Sequence, residues 1–164
     1  MTPRAPYWHV WVDCQGVSHQ SRHDIERFDL KSVGGDAAPQ FMHNGEPAQA
    51  TVAFMVLPPG WVGDWHPNPK PQWILPMSGR WFVETMDGTR AEMGPGELSF
   101  GEDQLAQKDA LDKLGHLSGT VGDAPCVMVC VQLDIPPTVD QPGRFSGSWG
   151  GSQQPRAECA SQAA

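Results

Sequence analysis

The sequence has few charges, and those it has lean one way: 18% of the residues are charged, with 11 Lys and Arg against 19 Asp and Glu, for a net charge of −8. The basic residues are scattered, so no patch could neutralise a run of phosphates, and nucleic acid is not expected as a partner. Long apolar runs are missing too. Nothing approaches the roughly 20 residues that span a bilayer, and the opening MTPRAPYWHVW has no signal-peptide core; no membrane partner and a cytoplasmic location are the expectations. Cysteine is scarce, with four residues at 14, 126, 130 and 159 and no CxxC spacing. Cys126 and Cys130 would share one face of a strand about 13 Å apart at roughly 3.3 Å per residue, too far to bridge, so reduced, buried thiols are expected. A Ser-His-Asp pattern, a phosphate loop and a dinucleotide fingerprint are all lacking.

What is abundant is glycine (18) and proline (16), which suits many short strands joined by turns better than long helices. At 164 residues one domain is the expectation, long enough to bury a core without disulfides. YWHVWV (7–12) has the aromatic and β-branched pattern of a half-buried strand. DCQGVSHQSRHD reads as a turn-rich link, with His19, His23 and His43 in loop-like surroundings that favour surface roles, and residues 25–33 alternate as a second, exposed strand. GGDAAPQFMHNGEPAQA is a loop by composition, a plain connection or a lid. Residues 51–57 form a strand stopped by Pro58, Pro59 and Gly60. Residues 73–77 and 80–86 follow as strands, the second ending at Asp87-Gly88, the dipeptide of a tight hairpin. After TRAEM, a GPG turn and ELSF, residues 101–115 read as a loop with a helical turn or two and no expected chemistry. HLSGTV and CVMVCVQLD are strands, the latter buried on both faces. Residues 137–164 are poor in apolar side chains and read as a mobile tail, with docking through Phe145 and Trp149 as the alternative. The organisation expected is therefore a barrel over 1–136, with its core at 51–135, followed by that tail. Nine or so strands with turns every 8 to 12 residues describe an all-β barrel or jelly roll.

The chemistry concentrates in PPGWVGDWHPNPKPQWILPMSG (58–79). Gly60, five residues, His66, one residue, Asn68, three residues, Gln72, six residues, Gly79: this spacing is similar to the first motif of the cupin family, in which two histidines and a glutamate occupy the positions of 66, 68 and 72. The second cupin motif resembles MGPGELSFGEDQ, with its Pro-Gly-acid turn at 95–97, and its histidine falls either on Gln107 by strict count or on His116 if the link is longer. His116 is preferred, because GED followed by a loop and GH is similar to a group of small bacterial cupins that also often carry Gly-x-Ser-His, here Gly16-Val17-Ser18-His19. The resemblance covers roughly residues 8–135. It implies a single cupin β-barrel, a double-stranded β-helix of the jelly-roll kind, and a homodimer.

The resemblance also implies a divalent metal ion (Fe, Mn, Zn or Ni) held by His66, Gln72 and His116, with Asn68 as ligand or orienting donor. Period two lets His66 and Asn68 face the same way on an extended strand. Such a set is all neutral, so it would hold an ion weakly and leave its charge to favour an anionic ligand. The alternative is a pocket without metal, its polar groups satisfied by water and each other. Trp61, Trp65, Trp73 and Trp81 are candidates for the walls of a substrate pocket or for core packing, and Ser118 shares strand parity with His116. Glu84 is a candidate general base, or a solvated surface residue. The function these features point to is redox-neutral Lewis-acid chemistry (a lyase, isomerase or cyclase) on a small anionic or carbonyl-bearing organic molecule. A cupin dioxygenase and a non-catalytic binding barrel are the alternatives.

Overall fold

The computed structural model of the chain describes residues 3–45 and 47–146. Among the described residues there are eleven strands: β1 (Ala5–Val12), β2 (Ser18–Ile25), β3 (Asp29–Lys31), β4 (Gln40–Met42), β5 (Ala50–Leu57), β6 (Gln72–Ser78), β7 (Trp81–Thr85), β8 (Arg90–Met93), β9 (Ser99–Gly101), β10 (His116–Thr120) and β11 (Cys126–Leu133). The expected all-β class is what the chain adopts. Among the described residues no helix is long and apolar enough to cross a membrane.

A six-stranded sheet runs in the order β2-β1-β9-β6-β11-β5, and a three-stranded sheet in the order β10-β7-β8. Alternation along the strands makes the core between them. Val10, Ile74, Met128 and Cys130 on the large sheet meet Trp81, Val83, Ala91 and Met93 on the small one. Gly88 takes the positive φ (84°) of the β7–β8 hairpin that Asp87-Gly88 announces. The proline-rich segment 58–71 is not a named strand, yet it lies beside β10 through bridges Val62–Gly119 and His66–His116. This seam positions the site.

Three expectations change. Residues 13–24, read as a link, contain most of β2, which pairs along the whole of β1 from Val12–Ser18 to Ala5–Ile25. Its polar sequence SHQSRHDI carries little strand propensity, and pairing with an apolar neighbour overrides that. Of the strand expected at 25–33, Ile25 ends β2 and only Asp29–Lys31 forms a strand of its own, pairing with β4 as a separate two-stranded hairpin. Residues 137–146, read as the start of a mobile tail, pack on the outer face of the large sheet. Val139 bridges Val12, and Phe145 is buried with Tyr7 and Phe100. Trp149, the other proposed docking residue, lies outside the described residues.

Candidate active site

His66 and His116 face one another across the seam. Each backbone N–H donates to the other's carbonyl at 3.0 Å, and the imidazole centroids are 4.8 Å apart. Gly115 permits this approach. Its φ is +74°, and a Cβ there would collide with the backbone of His66 and Pro67. Of the two positions open for the second motif, His116 is the one that reaches His66; Gln107 is exposed and packs against Gly16.

Behind His116 stands Asp103, whose side chain is 0% exposed. Its Oδ2 accepts the His116 Nδ1–H at 2.7 Å, while Oδ1 accepts the Asn68 backbone N–H at 2.8 Å and the Asn68 side-chain amide at 2.6 Å. Burial pushes the Asp103 carboxyl up, but the His116 charge and the bonds from His116 and Asn68 outweigh it and hold the group below the usual carboxylate range. The chain of bonds continues inward. Gln72 Nε2 donates to Asn68 Oδ1, and Gln72 Oε1 accepts from the Cys130 thiol at 2.9 Å and from Gln132 Nε2 at 3.2 Å. Gly101 leaves room for this network, since a Cβ there would strike the Asn68 amide.

The tautomers follow from these partners. His116 Nδ1 carries a proton because a carboxylate accepts from it, and His66 Nδ1 carries one because the Asp64 carbonyl accepts from it at 2.7 Å. Both Nε2 atoms are left with a lone pair. His116 is buried and His66 exposed, so the pair lies at the boundary between core and solvent.

The four-residue metal set expected from the sequence is not presented as ligands. Asn68 and Gln72 are buried close by, but their amides hydrogen-bond to each other, to Asp103 and to β11. Only the two imidazoles offer uncommitted donors, fewer than the three or four protein ligands of an ordinary transition-metal site. Among the described residues no group of three or more His, Cys, Asp or Glu is placed to hold an ion.

The other candidates scatter. Ser118 is buried on the His116 face of β10. Glu84 points away from the core, 4.0 Å from Arg90, with the Arg90 guanidinium over the neighbouring Phe82 ring. The four indoles do not share a wall. Trp81 is in the core between the sheets, and Trp73 is on the opposite face of the large sheet, 4.9 Å from Phe100 and 5.0 Å from Phe145 by ring centroids. Trp65 lies under Lys113 at 4.7 Å, and Trp61 packs by Gly63 and Gly119 near the seam. Cys126 and Cys130 are buried free thiols, as expected, and burial pushes Cys130 up to about 11.

Two residues of importance came from a stretch read as chemically dull. Glu102 and Asp103 are adjacent, fully buried and opposed by alternation. Asp103 faces inward, whereas Glu102 faces outward and accepts from His9 Nε2, from Thr138 and from Arg144. The signal was in the sequence: two consecutive carboxylates straight after a short apolar strand need partners on both faces.

Comparison with protein-family models and with curated proteins found no match for this chain. Among solved structures it is similar to protein NMB1881 from Neisseria meningitidis, at 13% identity and a TM-score of 0.38, over 57% of this chain and 89% of that one. It is also similar to DMSP lyase DddQ from Ruegeria pomeroyi DSS-3, at 15% identity and a TM-score of 0.40, over 71% of this chain and 53% of the lyase. Likeness at this level carries no functional argument.

Proposed function

We propose that the chain is an enzyme that moves a proton on a small anionic or carbonyl-bearing organic substrate, with His116 as general base, Asp103 as its positioning partner and His66 as the second imidazole. The observation that carries this reading is the buried carboxylate on His116 Nδ1, which fixes the ring and leaves Nε2 as a basic lone pair. His116 Nε2 takes a proton from the carbon next to the substrate carbonyl, and the electron pair moves into the carbonyl to give an enolate. Asp103 stabilises the imidazolium that results. The His116 imidazolium then returns that proton to a different carbon or to the enolate oxygen, with His66 Nε2 accepting a hydrogen bond from the substrate. Alternatively, a leaving group on the next carbon departs with its bonding pair as the enolate collapses to a C=C bond, and His116 gives its proton to the departing group. The first outcome is an isomerase and the second a lyase. Because Asn68 and Gln72 are committed within the network, no step is routed through a metal ion.

The test is exchange. Incubation of the protein with a panel of 2-oxo and 3-oxo acids in D2O should incorporate deuterium next to the carbonyl. His116→Gln should slow this by about 10²- to 10⁴-fold, the usual worth of a positioned acid or base. Exchange at the wild-type rate in His116→Gln would sink the reading, and no exchange with any acid would favour a non-catalytic binding barrel. Elemental analysis runs alongside. One equivalent of transition metal, lost in both His66→Ala and His116→Ala, would replace this reading with a metal-held one.

A further inference from the structure

Two buried amides, Asn68 and Gln72, stand between Asp103 and the middle of the large sheet. β6 lies between β9 and β11, and Gln72, its first residue, is opposite Gly101 on one side and Gln132 on the other. Which way the Gln72 amide points is dictated at its far end. Gln132 Nε2 is a pure donor and bonds Gln72 Oε1, as does the Cys130 thiol, so Gln72 turns its NH2 to Asn68 Oδ1. The near end independently dictates the same sense. An ionised Asp103 only accepts, so Asn68 turns its NH2 to the carboxylate and its carbonyl to Gln72. Reversing either amide would set NH2 against NH2 or a carbonyl against the carboxylate, at the cost of buried unmade bonds.

Asn68 also divides the carboxylate. Its backbone N–H and its side-chain amide both bond Asp103 Oδ1, at 2.8 and 2.6 Å, which leaves Oδ2 for the His116 Nδ1–H at 2.7 Å. Rotation of the carboxylate would break both Asn68 bonds, so the oxygen that orients His116 is held in place. Resting on the reading of His116 as the base, we propose that Gln72 and Asn68 are its remote positioning residues: an oriented amide relay, anchored at Cys130 and Gln132, that locks Asp103 Oδ2 onto the imidazole. Both amides act through Asp103 rather than on the substrate.

The Nδ1 proton of His116 reports the relay without a substrate. Its exchange with water, read by NMR of the labelled full chain, should be about tenfold faster in Gln72→Met and in Asn68→Ala, the factor that one lost hydrogen bond supplies. Because both substitutions break one chain, the double variant should exchange no faster than the faster single. Ile74→Val, on the same face of β6 but in the core and outside the relay, should leave the rate at the wild-type value. Deuterium incorporation into any oxo acid that the wild type exchanges should fall about 10- to 100-fold in each relay variant, as loss of orientation does. Circular dichroism checks the fold of each variant, and Gln132→Leu, at the half-buried far end, supplies a milder break in place of any relay variant that unfolds. The relay is overturned if proton exchange or deuterium incorporation in the single variants equals that of the wild type, if their effects multiply in the double variant, or if Ile74→Val speeds exchange equally. A wild-type His116 with its proton on Nε2 would instead remove the base reading itself.

Discussion

Among single residues, Asp103 ties the site together. Its carboxylate receives three donors and lies wholly out of water, so removing it strands the His116 and Asn68 donors in the core. Asp103→Ala is expected to cost about 3–5 kcal/mol of unfolding free energy, as loss of one partner of a buried pair does, measured by chemical denaturation. Because the folded carboxyl is held below its ordinary value of 3.8, this contribution is present above that value and is lost as pH falls through the folded value. The Asp103→Asn variant should therefore show a shallower loss of stability than wild type below pH 3.8. The approach of His66 to His116 was legible from spacing and from one choice between two positions. Asp103 was not, because what makes it matter is its place on the inner face, set by the pairing of Gly101 with Gln72 and Val10, and pairing partners far apart in sequence are invisible to spacing.

At the element scale, β2 is held across the gap between the sheets by polar contacts. Gln20 Nε2 donates to the carbonyls of Val83 and Thr89. Ser18 Oγ accepts from Met86 N and donates to the Gly115 carbonyl. His19 sits between Asp13 and Asp87 at 3.0 and 2.9 Å. Burial pulls the His19 value down, and the bonds to and charges of the two aspartates outweigh it, leaving it above 6.5. A raised histidine stabilises below its unfolded value and loses that contribution as pH rises through the folded one. His19→Ala should thus lower the melting temperature more at pH 6 than at pH 9, and the effect should stay under about 1 kcal/mol for groups this exposed. An equal effect at both pH values would contradict a stabilising charge on His19 between Asp13 and Asp87. Strands with apolar alternation (β1, β5, β11) and the Asp87-Gly88 turn were readable in the sequence. β2 and the docked segment 137–146 were not, since their stability comes from long-range partners such as Glu102 on Arg144 and Tyr7 on the Phe145 N–H rather than from their own composition.

At the scale of the whole molecule, β5 ends the large sheet and is unguarded. Its sequence ATVAFMVL contains no charge or proline of the kind that usually protects an edge. Val52, Phe54 and Val56 share its outward face, and Phe54 is 78% exposed. The homodimer expected from the sequence would extend the sheet here, with a second copy of β5 as the partner. Light scattering should give twice the 17.9 kDa chain mass for the wild type and the single mass for Phe54→Asp, with thermal stability of the monomer within about 0.5 kcal/mol of the wild-type chain. A wild type that stays monomeric at high micromolar concentration would contradict this.

Whether Asp103 holds His116 as a base with a free Nε2 can be read without knowing the substrate. Long-range ¹H–¹⁵N NMR of the uniformly labelled chain, at a pH well above the ordinary imidazole value of about 6.5, reports the tautomer of each histidine. His116 should be the Nδ1–H form with an unprotonated Nε2, and a mixed population in Asp103→Asn. An Nε2–H tautomer in the wild type, or the same tautomer populations in Asp103→Asn, would contradict it.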